Sequence, residues 1–583
     1  MELIRFLAGI LALLIPGMFL ARHFSLGNNF LERCANGSSL GLALAVFLAS
    51  AASYIDLRWF YPLWACVALV AAGLWIKSFS RRAPGADSAA QVLMLVVLVL
   101  VGVSRFALAL PLQLPPGSLD PTFHLILAKK IQITQHAIND WSPFANVKLN
   151  YPTGSHVLIV VLSALSGLPL HTTFKDLIPF LGILTTAQIY VFARRATDSP
   201  SIALYSAAVY GLWAWAGSND YFRWGGIPNE LAMLLFMAML CVWLDAPRRL
   251  AQASMAVLYA ATVLVHHHVM VVSGVILLLL ILWQKFVDND GRSWKSLAIP
   301  AAAAILLDAF FLAPYALRLG SLSATGIVAG GEYVLPLWDL PREFGYALTL
   351  FALAGIALCL IHKFRCPPIV AIPSFALVVM FVIGEDLVPM TLRALHKGAF
   401  TFFTPSRFLG DLNYFLPIFA GAAIWYLRQK LRIPLWITML LIFAAPLGDW
   451  AQWKFLAGLS MGQPQLKQEG KSMAKVAMPP PSFLKACAWI QRNTPPNTIV
   501  DNSEKWTTYL CWRKSDDMPF PISEPAGNFH PESERIPLIL SGRIPPDTPG
   551  MMIVAIRDPD SYIGGPILWE DPSGQVVVRE WPK

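Results

Sequence analysis

The sequence predicts an all-α polytopic membrane protein of about fourteen transmembrane helices, ending in a small soluble α/β domain. Two observations predict the membrane part. Of the 583 residues, 56% are hydrophobic and only 14% are charged, where soluble domains carry roughly a quarter charged residues. Apolar runs close to the length of about 20 residues needed to cross a bilayer also recur from residue 3 to residue 450. A change to Pro-rich, charged sequence from about Leu456 predicts the soluble part. The formal charge is +9, yet beyond residue 450 the 14 Lys and Arg balance 14 Asp and Glu, so the excess belongs to the membrane part. Basic loops facing anionic head groups, or phosphate contacts, explain that distribution better than a nucleic-acid surface does.

In chain order the apolar segments fall near 3–21, 39–56, 59–76, 90–110, 155–170, 174–193, 200–217, 228–245, 251–266, 269–285, 296–316, 343–362, 367–384, 406–427 and 433–450. The first has no small-x-small cleavage site and is followed by many more, so it reads as a span and not a signal peptide. Lys and Arg mark the cytoplasmic loops: Lys77, Arg81 and Arg82; Arg194 and Arg195; Arg248 and Arg249; Lys363 and Arg365; Arg428, Lys430 and Arg432. Alternation then places residues 220–228, 266–268, 317–342, 385–407 and the tail on the outer face. It also places the polar interval 111–153 there, provided segment 155–170 does not cross. That segment has about fifteen residues before Gly167, roughly 22 Å of helix against about 30 Å of hydrocarbon, and reads as short or re-entrant. Fourteen full spans remain, with both termini outside.

The domains are expected at 1–455 and 456–583. In the tail, 478–482 (MPPPS) excludes regular helix, 483–492 reads as a helix, and 498–500 and 551–556 read as strands. None of the seven cysteines forms a CxxC pair or a zinc-spaced cluster, which argues against a structural metal. Cys487 and Cys511 are the tail's only cysteines, a candidate disulfide if the tail faces an oxidising compartment.

The chemistry concentrates in the outer loop 111–153. Asp120 opens a segment, 122–137, whose apolar positions recur mostly at helical spacing with Lys129, Lys130 and His136 interleaved; it reads as a helix along the membrane surface. Tyr151 and Pro152 begin the turn that closes the loop. Asp followed by Pro is also a common helix start, so Asp120 equally suits an N-cap. The run from Asp120 through His124, Ala128 and Ile131 to Pro143 and Tyr151-Pro152 resembles the first external loop of the GT-C superfamily. These membrane glycosyltransferases use lipid-phosphate-linked donors. The alternating spans and the phrase Trp489 to Pro495 at the start of the tail agree with the resemblance. It implies that Asp120 is the catalytic base.

Asp220, Arg223 and Glu230 surround a Gly-Gly-x-Pro turn similar to the second acidic loop of that superfamily. Arg223 suits a phosphate, and Asp220 or Glu230 a sugar hydroxyl or a divalent cation, although a capped helix start with interfacial aromatics explains the same residues. His266 and His267, with His268, suit a phosphate or acceptor contact or a plain interfacial turn; three consecutive histidines do not converge on one metal from a helix. Arg407, at the start of a late span among aromatics, suits a phosphate or snorkels from the interface. Lys129 serves either the phosphate or solvent. The Trp-Trp-Asp-Tyr-Gly motif of oligosaccharyltransferases is absent from the tail, which disfavours transfer of a whole oligosaccharide to Asn.

The resemblance thus implies transfer of a sugar from a polyprenyl-phosphate donor to a lipid, glycan or protein acceptor, at the periplasmic face of a bacterial inner membrane. Membrane lipids are further partners, no nucleic acid is expected, and no cofactor is required beyond the cation left open at Asp220 or Glu230. A transporter, flippase or ligase for lipid-linked glycans is the alternative. Transporters bind near the bilayer midplane, however, and only Asp308 and Asp411 are conspicuous mid-span charges here.

Overall fold

The computed structural model describes residues 1–78, 88–115, 119–142, 144, 149, 151–213, 226–245, 249–287, 293–322, 344–361, 363–383, 405–444, 478–496, 498–501, 506–515, 552–557 and 566–580. Helices α1 (Glu2–His23), α2 (Phe30–Ser53), α3 (Phe60–Ser78) and α4 (Ser88–Ala109) precede the polar interval. That interval holds α5 (Leu119–Thr134) and leads into α6 (Gly154–Ser166). The bundle continues with α7 (Leu170–Thr197), α8 (Pro200–Leu212), α9 (Ile227–Leu244), α10 (Arg249–Val265) and α11 (His267–Phe286). A pair, α12 (Lys295–Leu307) and α13 (Ala309–Leu322), breaks at Asp308. Then come α14 (Tyr346–Leu360), α15 (Pro368–Val382), α16 (Pro405–Leu412), α17 (Leu416–Leu431) and α18 (Leu435–Ala444).

Among the described residues, eight helices are long and apolar enough to cross a membrane, or nine if the pair α12 and α13, bent by 71°, forms one span. The protein is a multi-pass membrane protein. Of the fourteen full spans expected from sequence, these account for at most nine; α8, α10, α14, α15 and α18, described over 10–17 residues, stand at the other five.

Local chemistry explains the helix ends. Asn29 accepts from the Glu32 amide while Glu32 accepts from the Asn28 amide, a reciprocal cap. Ser199 caps α8, with Pro200 in its first turn. Central α7 and α9 are buried on nearly every side, as helices that are apolar all round must be. α1 and α2 approach through Gly17, Gly37 and Gly41; a Cβ on Gly17 would lie 2.1 Å from the Gly41 nitrogen. Small residues are what permit such contact between membrane helices.

The bundle has two distinct ends. At one, Arg195 at the end of α7 pairs with Glu32 of α2 and with Asp245, 2.6 Å away, just beyond α9. At the other lie α5, the tail and Glu2 of α1, which shares a cavity of about 410 Å³ with His171 and Met478. The short segment after the polar loop is the 13-residue helix α6, closed by Gly167 at φ 64°. His156 in the first turn of α6 touches His124 of α5, and His171, just after α6, touches Tyr509, which also holds Lys129 of α5. Both ends of α6 therefore stay beside α5.

α5 itself differs from the expectation of a surface helix. Phe123, His124, Leu125, Ile126, Leu127, Ala128, Lys130 and Ile131 are all buried, covered by α6, α7 and a short tail helix. Its lysines, read as solvated, are engaged. Helical spacing revealed the face that meets the bundle, but not the second cover supplied by a segment far along the chain.

The described part of the tail is a small α/β unit. Helix α19 (Pro481–Asn493) packs on a five-stranded sheet of order β2-β1-β3-β5-β4. β1 (Ile499–Asp501) runs parallel to β2 (Lys514–Ser515) and β3 (Ile553–Arg557); β4 (Ile567–Glu570) and β5 (Val577–Glu580) complete it with antiparallel pairings. Helix α20 (Thr507–Cys511) lies between β1 and β2, and Cys511 is disulfide-bonded to Cys487 of α19. The expected boundary at 455 and 456 lies outside the described residues.

Substituting Gly17 with Val should force α1 and α2 apart. Overpacking of this kind costs roughly 1–3 kcal/mol, and the expected outcome is a lower unfolding midpoint in detergent, with Gly73→Val, which meets nothing within 4 Å, leaving it unchanged.

Candidate active site

The first turn of α5 carries Asp120 and Pro121. His124 follows one turn later on the same helical face, since residues four apart are neighbours. Only the backbone of Asp120 is described. Below it a line of aromatic and imidazole rings runs through four segments. His124 Nδ1 stands 3.0 Å from His156 Nε2. The Tyr151 ring lies 5.8 Å from His124, 5.7 Å from His156, 5.9 Å from His266 and 5.1 Å from His267. His266 and His267 in turn lie 4.9 Å apart.

The seam is built by local geometry. The Tyr-Pro turn leads straight into α6, so Tyr151 and His156 stand side by side. Gly154 permits this approach, because a Cβ there would fall 2.7 Å from the Leu264 carbonyl oxygen at the end of α10. The extended residue His266 separates α10 from α11, which turns His266 and His267 towards Tyr151 and sends His268 into the bundle. There His268 Nε2 meets Asp411 Oδ2 at 2.8 Å, both side chains fully buried, and Asn229 Nδ2 donates to Asp411 Oδ1 at 3.0 Å. The Phe408 ring lies 4.9 Å from His268. One residue beyond Asn229, Glu230 accepts from Tyr210 Oη at 3.1 Å and from Tyr414 Oη at 2.6 Å.

Of the residues chosen from sequence, His124, Tyr151, His266 and His267 come together. Glu230 is buried deeper, held by two phenols. Lys129 faces the tail. Asp220 and Arg223 lie outside the described residues, and Arg407 is described only as backbone in the first turn of α16. His156, Asn229 and Asp411 were not chosen from sequence, whereas His268 was named with its two neighbours and turns away from them to Asp411. Asp411 did stand out as a rare mid-span charge, and intramembrane ionisable groups are functional candidates by default. His156 gave no signal, since its partner is 32 residues away. Among the described residues no three His, Cys, Asp or Glu side chains are arranged to hold a metal ion.

Chemically, two imidazoles at hydrogen-bonding distance share one proton between donor and acceptor nitrogens. The aromatic faces exclude water, which strengthens any charge interaction made in the seam. Asp411 fixes the ring of His268 as a carboxylate fixes any imidazole it accepts from. At the far end of α5, Lys130 Nζ pairs with Asp140 Oδ1 at 2.7 Å. Burial raises the Asp140 carboxyl, but the hydrogen bonds from Lys130 and Ser142 outweigh it and hold the group down to about 2.

With this geometry in place, comparison with solved structures gives the fold. ArnT from Cupriavidus metallidurans, in its complex with undecaprenyl phosphate, matches with a TM-score of 0.51 at 14% identity, over 85% of this chain and 98% of its own. The apo oligosaccharyltransferase of Archaeoglobus fulgidus matches at 0.49 and 12% identity, over 80% of this chain and 69% of its own. The mycobacterial arabinofuranosyltransferase AftD matches at 0.45 and 16%, over 72% and 30% respectively. No family model and no curated protein sequence matches the chain. At these identities the likeness is one of fold, and the fold is that of the GT-C glycosyltransferases.

Two outcomes follow for stability. Asp411→Ala removes the partner of both His268 and Asn229; roughly 1–3 kcal/mol is expected for each buried polar group left unsatisfied, read as a lower unfolding midpoint in detergent. Asp140, held below the usual carboxylate value of about 3.9, contributes fully above about pH 4, and its contribution is lost as pH falls towards 2. Hydrogen-exchange protection at the last turn of α5, taken relative to the intrinsic rate at each pH, should therefore fall across that window in wild type and be low throughout in Asp140→Asn.

Proposed function

We propose that this chain is a GT-C glycosyltransferase that moves a sugar from a polyprenyl-phosphate-linked donor to a lipid, glycan or protein acceptor, working at the outer face of a bacterial inner membrane. The observation that carries the reading is the convergence of Tyr151, His266 and His267 with His124, which follows Asp120 by one turn of α5. Each was singled out from sequence for this chemistry, and distant segments supply them. The shared fold supports it, since the Cupriavidus enzyme is bound to undecaprenyl phosphate.

In this reading Asp120 takes the proton of the acceptor hydroxyl. The acceptor oxygen bonds to the anomeric carbon as the bond from that carbon to the phosphate oxygen breaks, and the electron pair leaves with the polyprenyl phosphate. Arg407, Arg223 and the histidines at 266 and 267 balance the charge on the departing phosphate, which is where fixed positive or hydrogen-bonding groups lower a barrier most. Glu230, already accepting from two tyrosines, shapes the wall, so any divalent cation falls to Asp220.

The test is sugar transfer by membranes carrying wild type or Asp120→Asn, supplied with pooled polyprenyl-phosphate sugars and native lipid and protein extracts. Asparagine keeps the size and capping capacity but not the basicity. A general base contributes about 10²–10⁴-fold, so transfer should fall at least a hundredfold at equal expression. Full activity in the variant would reduce Asp120 to a helix cap. No transfer by wild type with any donor would favour the transporter reading.

A further inference from the structure

The tail grips α5 through contacts that the proposed reaction does not use. Lys129, further along α5 from Asp120, donates its ammonium to the Tyr509 backbone carbonyl. The same nitrogen stands 5.0 Å from the centre of the Tyr509 ring and 5.1 Å from the Trp512 ring, within range of attraction to both aromatic faces. Tyr509 is anchored in turn, its hydroxyl 3.4 Å from His171 Nδ1 on α7. Trp512 meets Phe144 edge-on at 4.9 Å.

The backbone of Trp512 sits at φ +52° and ψ +42°. This left-handed conformation is unfavourable for any residue with a side chain and persists only where the surroundings impose it. Here it closes α20 as a left-handed cap, held within the tail by the Trp512 N–H on the Thr508 carbonyl and by Arg513 Nη1 on the Trp512 carbonyl at 2.9 Å. Both aromatics belong to the short helix α20 and its cap. A five-residue helix does not hold its own shape, and the bond from Cys511 to Cys487 fastens it to α19 and the sheet.

We propose that Tyr509 and Trp512 are positioning residues for the membrane site: they clamp α5 through Lys129, and the Cys487–Cys511 disulfide holds the clamp to the tail. The clamp stands on geometry alone, whereas its effect on catalysis rests on the glycosyltransferase reading. Lys130 supplies an internal control. Its ammonium is held by the side chain and carbonyl of Asp140, in the loop that follows α5, and among the described residues no tail residue takes part.

The experiment uses the full chain in lipid nanodiscs, acetylated with a sulfo-N-hydroxysuccinimide ester and read by peptide mass spectrometry as the ratio of Lys129 to Lys130 labelling. Trp512→Gly deletes the ring while relieving the positive φ, so the tail keeps its fold. In that variant, and in Cys487→Ser/Cys511→Ser, the ratio should rise at least fivefold over wild type. An unchanged ratio in Trp512→Gly overturns the clamp. The second readout is transfer: kcat should fall about tenfold in Trp512→Gly with the donor KM little changed, and Lys129→Arg, which keeps a cation against both rings, should retain more transfer than Lys129→Gln. A raised ratio with wild-type kcat overturns the positioning role. Absence of transfer in wild type counts against the glycosyltransferase reading, while the labelling ratio still decides the clamp.

Discussion

The structure depends on one constraint: in a bundle surrounded by hydrocarbon, a polar side chain that leaves water must find its partner inside the protein. This chain meets that constraint with two buried carboxylates on neighbouring helices. Asp411 receives an amide and an imidazole, and Glu230 receives two phenols. The donors come from α8, α9, α11 and the link between α16 and α17, so the same hydrogen bonds that satisfy the carboxylates also fix the relative positions of these helices. The histidine turn between α10 and α11 inherits that precision. His268 is held from below by Asp411, and its neighbours His266 and His267 are thereby set against Tyr151.

The polar loop solves a related problem from above. α5 is too polar to cross the membrane, too apolar to stand in water, and faces covers on two sides. The bundle supplies one cover through α6 and α7, and the tail supplies the other through α20. Each adjacent lysine is neutralised differently, Lys130 within its own loop and Lys129 by a carbonyl and two aromatic faces more than 370 residues later in the chain. A helix buried on both sides is a firm platform for the base proposed at its first turn, in the way that sites on packed elements hold geometry better than sites on free loops.

Much of this was legible in the sequence, and what was not has a common cause. Composition and run length revealed a polytopic bundle, the short segment before Gly167 and the compositional break before the tail, because hydrophobicity over 15–20 residues is a local property. Proline and aspartate marked the start of α5, and the Tyr-Pro turn the far boundary of the polar loop. Exceptions arose where partners are remote. Lys129 looked solvated because nothing near it announces Tyr509 or Trp512. His156 looked like one polar residue in an apolar helix because His124 lies on another element. Glu230 stood in an apparently open loop pattern, and only the packing of α8 and α17 shows it sealed by Tyr210 and Tyr414. The strands β2, β4 and β5 are too short to display alternation.

The arrangement also bears on why the site residues lie where they do along the chain. Nearly all of the seam comes from the edges of helices, at residues 124, 151, 156, 266, 267 and 268, where the chain turns at one end of the bundle. At helix edges a side chain can border both hydrocarbon and water, the border that the proposed lipid-linked donor requires. A site at the midplane would suit a small ion or solute moving through the membrane. The chain does hold polar groups deeper in: Asp411 and Glu230 are joined to partners that lock helices together, whereas the side chain of Asp308, buried at the break between α12 and α13, makes no hydrogen bond among the described residues. Rigidity below and a ring-lined edge above favour chemistry on an amphipathic substrate over its passage.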